Sequence, residues 1–96
     1  MPRPHVEADE TIDAWLAAHP GWGRRNAGIA KQFSFADYPS TIAFVTRLAF
    51  AAEKRDHHPD LVVTWGKVDV FWTTHDAGGT TSLDLELAAR CEELAT

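Results

Sequence analysis

The chain has 96 residues, 45% hydrophobic and 24% charged, which suits one small globular domain and leaves no room for a second core. Nine basic against fourteen acidic residues give a net charge of −5, and the doublets Arg24-Arg25 and Lys54-Arg55 sit among acids, so no nucleic-acid-binding face is expected. No apolar run approaches the roughly 20 residues that span a bilayer, the stretch after Arg3 lacks the apolar core of a secretory signal, and a lone Cys91 excludes both an intramolecular disulfide and a cysteine-built metal site; a cytoplasmic protein without a membrane partner is expected.

Residues 1–8 read as a flexible lead-in to a single domain over 1–96. Ile12, Trp15 and Leu16 recur at helical spacing, with Asp9 as N-cap and Pro20-Gly21 as the stop, which predicts a helix from about 10 to 18. Asn26-Ala27-Gly28 is a hairpin turn between a short strand near 22–25 and a half-buried strand in which Ile29, Phe33 and Phe35 alternate with Ala30, Gln32 and Ser34; Lys31 is the exception on the apolar side. The segment from Tyr38 is the strongest helix. Ile42, Val45, Leu48, Ala49 and Ala52 form its apolar stripe, widened by Phe44, Phe50 and Ala51. Pro39 suits the first turn, and Pro59 ends the helix near Arg55 by disfavouring helical geometry before it.

"LVVTWGKVDVFWTTH" reads as two strands around Gly66-Lys67. In the second, Val68, Val70 and Trp72 face one way, and Asp69, Phe71, Thr73 and His75 the other. Thr81 and Asp84 form a capping box that opens a last helix with Leu83, Leu87, Cys91 and Leu94 buried, Leu85 off the stripe, and Glu86 paired with Arg90. The order α-β-β-α-β-β-α, with short turns between successive strands, predicts an α+β fold: a four-stranded antiparallel sheet with three helices on one face. Phe71 on the open face, together with Leu85, argues for a second subunit.

His57 and His58, before Pro59, and His75 at a strand end are the chemically suggestive residues. Three imidazoles near Asp56, Asp60 and Asp76 suit zinc by number, but adjacent residues rarely share one ion and no HExxH is present. A solvated loop is the bland alternative, as it is for His5 and for His19, whose place at a helix end favours a cation. The third reading is general acid–base catalysis, with groups that exchange protons near neutral pH flanking a flat polar substrate and Glu53 and Asp84 biasing the imidazoles.

The run from Glu53 to Ala88 carries a further signal. Glu53, His57-His58-Pro59, Trp65, His75 and Asp84 fall in the register of the pterin-4a-carbinolamine dehydratase family, also known as the dimerization cofactor of hepatocyte nuclear factor, and the chain resembles that family over roughly residues 9 to 95. The resemblance implies the same α+β fold and a lyase that dehydrates 4a-hydroxytetrahydropterin to quinonoid dihydropterin. No metal or redox cofactor is implied. The product would serve an aromatic amino-acid hydroxylase as client, and the assembly would be a homodimer or homotetramer. It also implies catalytic His57, His58 and His75, with His57 and His75 as general acids and His58 binding the pterin. Glu53 and Asp84 are implied at the edge of the site, and Pro59 and Trp65 as scaffold, Trp65 by core packing. The glycine-rich loop "DAGGTT" departs from the pattern. A non-enzymatic protein-binding or stabilising module is the alternative function.

Overall fold

The computed structural model describes residues 5–96, and the elements follow the expected order: α1 (Asp9–Ala18), β1 (Gly23–Arg25), β2 (Gly28–Ser34), α2 (Tyr38–Lys54), β3 (Asp60–Thr64), β4 (Lys67–Trp72) and α3 (Ser82–Leu94). Of the stretch 1–8, residues 1–4 lie outside the described residues; Val6 bridges Thr81, and the Glu7 N–H donates to Thr80 O at 2.9 Å. The sheet order is β1-β2-β4-β3 and every pairing is antiparallel.

Local sequence accounts for most boundaries. The cap of α1 is Ala8, not Asp9, because Asp9 lies in the first helical turn and its carboxylate reaches the Arg24 guanidinium at 3.4 Å. At the other end His19 Nδ1 lies 2.7 Å from Trp15 O, and the two rings stack at 3.9 Å. Asn26, at φ +50, turns β1 into β2. Asp37 caps α2 by accepting from the Ser40 N–H at 2.7 Å, which holds its carboxyl below the usual carboxylate range.

The core lies between one sheet face and the helices. Ile29, Phe33, Val68, Val70 and Trp72 meet Ile12, Phe44, Leu48, Leu87, Ala88 and Cys91 there. Two expected surfaces differ. In α2 the buried residues are Thr41, Phe44, Leu48 and Ala52, while Ile42 and Phe50 are 38% and 75% exposed. The predicted stripe spanned two helical faces, and only the one centred on Phe44 can meet the sheet. Leu85 is buried in the core cluster rather than off it, because the first turn of α3 is enclosed on both sides, with Leu83 and Asp84 buried too. It gives no support to an oligomer. Glu86 pairs with Arg55 at 2.7 Å instead of Arg90, which reaches Glu93 at 3.5 Å.

On the open face Phe71 is half-buried by its own chain. Arg25 sits 6.0 Å from its ring centroid and grips Asp69 through two bonds of 2.6 and 3.0 Å. The guanidinium holds the Asp69 carboxyl below its ordinary range, so this pair contributes at neutral pH and is lost as pH falls through the lowered value. Gly28 lets β2 lie flat on this ring: a Cβ there would stand 2.2 Å from Trp72 O and 2.7 Å from Phe71 Cε1. Gly28→Ala is therefore expected to destabilise by about 1–3 kcal/mol or more, since a backbone atom must give way. Thermal unfolding by circular dichroism checks this, and an unchanged midpoint would contradict it.

Cys91 is fully enclosed, and burial pushes its thiol up to about 12. The folded protein should resist iodoacetamide at pH 8 and become labelled only in denaturant. Rapid native labelling would show that α3 opens from the sheet.

Candidate active site

The end of α2 decides how the two adjacent histidines diverge. Asp56 adopts φ +48, its N–H donates to Glu53 O at 3.1 Å, and the His57 N–H donates to Ala52 O at 3.2 Å. This is a Schellman closure with aspartate, one of the few non-glycine residues that tolerate the left-handed region, at the reversal. The reversal turns the His57 ring into the protein. It is 7% exposed, stacked on Trp72 at 5.6 Å and 16°, with Nε2 2.6 Å from Asp84 Oδ1. His58 faces outward, with Nε2 2.7 Å from Glu53 Oε1 in an exposed pair. Such a pair adds little stability because water screens it.

The third histidine comes from the end of β4. The strand's alternation carries one step past Trp72, so Thr74 points inward and is 2% exposed, and its N–H donates to Gly79 O at 3.0 Å. His75 is left exposed on the turn that follows. An open cavity of ≈ 280 Å³ lies between the two segments, lined by His57, His58, Pro59 and His75, by Asp56, Asp60 and Asp76, and by Thr73 and Thr74. Among the described residues, no lysine or arginine lines it.

Behind His57, Asp84 is fully buried at the third position of α3. Oδ2 accepts from the Thr81 N–H at 2.8 Å and the Thr74 hydroxyl at 2.7 Å, leaving Oδ1 to His57. The capping box thus also serves as the imidazole's anchor. Among the described residues, no group of three or more His, Cys, Asp or Glu is arranged to hold a metal ion.

The structure brings His57, His58, Pro59 and His75 to one cavity, with Asp84 and Glu53 each bonded to one imidazole. Trp65 is not among them, nor is it in the core. It is 69% exposed in the β3–β4 turn, at the opposite end of β3 from the histidines, because a tight turn beside Gly66 (φ +74) has no interior to offer a large ring. Thr74 was missed, although extending the count 68, 70, 72 by one more step would have placed it inward.

The model of the family described as pterin 4 alpha carbinolamine dehydratase matches residues 5–94. A Roseiflexus sp. (strain RS-1) protein named "Putative pterin-4-alpha-carbinolamine dehydratase" is 44% identical over 91% of this chain and 94% of its own length. A Metallosphaera sedula protein of the same name is 44% identical over 98% and 95%. Among solved structures, a transcriptional coactivator/pterin dehydratase from Brucella melitensis superposes with a TM-score of 0.92 at 30% identity, over 96% of this chain and all of that one. A pterin dehydratase-like protein identified as a RuBisCO assembly factor in the alpha-carboxysome matches with a TM-score of 0.67 at 25% identity, over 80% and 92%.

Proposed function

Since this chain belongs to the pterin 4 alpha carbinolamine dehydratase family, we propose that it dehydrates 4a-hydroxytetrahydropterin to quinonoid dihydropterin by histidine acid–base catalysis. One observation carries the reading: imidazoles from two separate chain segments line a single polar cavity. The reaction breaks the C4a–O bond. A protonated imidazole gives its proton to the departing hydroxyl, which leaves as water, the N5 lone pair closes the C=N bond, and a second imidazole takes up the ring N–H proton. His57 and His75 fill these proton-handling roles, and His58, already held outward by Glu53, binds the pterin. Both charge states of an imidazole are accessible near neutral pH, which is what a group that both gives and takes a proton requires.

The protein works in the cytoplasm as a homodimer or homotetramer, recycling the cofactor of an aromatic amino-acid hydroxylase. Phe50, Val62 and Trp65, exposed at 75%, 61% and 69%, support self-association. The same exposed side chains favour a second reading, a protein-binding or stabilising module, and the solved relative described as a RuBisCO assembly factor supports it. His75→Ala separates the two. It should slow pterin dehydration by about 10²–10⁴-fold while leaving the oligomer intact. A variant of unchanged rate that loses a protein complex would favour the binding module.

A further inference from the structure

Behind the histidine cavity lies a closed set of buried hydrogen bonds whose directions are fixed by chemistry. Thr74 Oγ1 lies 2.7 Å from Asp84 Oδ2 and 2.8 Å from Thr81 Oγ1. A carboxylate only accepts, and each hydroxyl has one proton to give. The Thr74 hydroxyl therefore donates to Oδ2 and accepts from the Thr81 hydroxyl, whose oxygen takes the Asp84 N–H of the capping box. The Thr81 N–H at 2.8 Å and, more distant, the Thr81 hydroxyl at 3.3 Å also lie against Oδ2. Among the described residues Oδ1 is left with a single partner, His57 Nε2. All three residues of the set are at most 2% exposed, so no water competes for these bonds.

We propose that Thr74 is a positioning residue: its hydroxyl locks the Asp84 carboxylate so that neutral His57 keeps its proton on Nε2 and offers Nδ1 to the substrate. Among the described residues Nδ1 has no protein partner, whereas Nε2 is committed to Asp84. Without that hold the carboxylate can turn away from Nε2, and part of the population would then carry its proton on Nδ1, where an acceptor is needed. The inference rests on the histidine mechanism above, and it extends that mechanism to a residue with no chemistry of its own.

The test is ¹⁵N NMR of histidine-labelled protein at a pH where His57 is neutral, with steady-state kinetics alongside. Wild type should show His57 as the Nε2–H tautomer. Thr74→Val, which removes only the hydroxyl function, should mix the tautomers and lower kcat by about 10–100-fold, as loss of an outer orienting partner does, with KM within about twofold. Thr74→Ser should restore both. An Nδ1–H tautomer in wild type overturns the proposal, and this arm holds even if the valine variant fails to fold. Equal losses in the valine and serine variants overturn it too, since they would point to packing by the methyl group. The Nε2–H tautomer in a protein inactive toward the pterin would support the positioning role and defeat the reaction instead.

Discussion

Replacing Asp84 with alanine is expected to be the most damaging single change in the chain, lowering stability by about 3–5 kcal/mol, since each buried donor left unsatisfied costs about 1–3 kcal/mol. The carboxylate is fully buried and accepts from the Thr81 N–H, the Thr74 hydroxyl and His57 Nε2, so alanine leaves three donors without partners and opens the first turn of α3. For a domain of this size each kcal/mol moves the midpoint by roughly 4–8 °C, so calorimetry should show a drop well above 10 °C. Asp84→Asn separates scaffold from chemistry. The amide oxygen can still serve Thr81 and Thr74, but its NH₂ faces His57 and forces the imidazole to accept at Nε2. The fold should largely persist while kcat collapses, because an imidazole in the wrong tautomer presents the wrong atom. Full activity in the asparagine variant would show that His57 does not act through its other nitrogen.

The second large effect is expected at His57 itself. Alanine would confound two losses, since it also strands the Asp84 carboxylate, so glutamine is the sharper substitution. Its amide can still donate to Oδ1, yet it cannot titrate. His57→Gln should lower kcat by about 10²–10⁴-fold with a melting midpoint much closer to wild type than that of Asp84→Ala. His58→Gln should raise KM more than it lowers kcat, because His58 is outward and paired with Glu53 at the surface. If the His58 variant loses more of kcat than the His57 variant, the division of labour is reversed.

Much of this site is legible in the sequence because its signals are local. Helix α2 ends at Lys54, next to the Arg55 boundary expected from Pro59, the strand alternation runs 68, 70, 72, and the spacing of Thr81 and Asp84 makes a capping box, all as the structure has them. The rest depends on backbone reversals and on which of two candidate faces meets the sheet. Nothing in "RDHHP" says that Asp56 will take a left-handed conformation, and that one residue sends His57 inward to Asp84 and His58 outward to Glu53. Phe44 rather than Ile42 centres the buried face of α2, because a rich apolar helix offers two stripes and only the sheet chooses. Trp65 misled for a related reason: hydrophobicity predicts burial, but the turn geometry set by Gly66 puts the ring in water. Phe71, read as an open-face residue in need of a second subunit, finds part of its cover in Gly28 and Arg25 of its own chain.

Dehydration of a pterin in the cavity between His57, His58 and His75 is the central claim. The most direct measurement is the decay of freshly generated 4a-hydroxytetrahydropterin, followed by absorbance, with purified wild-type protein, with the His57→Gln variant and with buffer alone. Wild type should consume the carbinolamine far faster than buffer and yield quinonoid dihydropterin, with the variant falling back toward the buffer rate. Decay with wild type no faster than in buffer would contradict it.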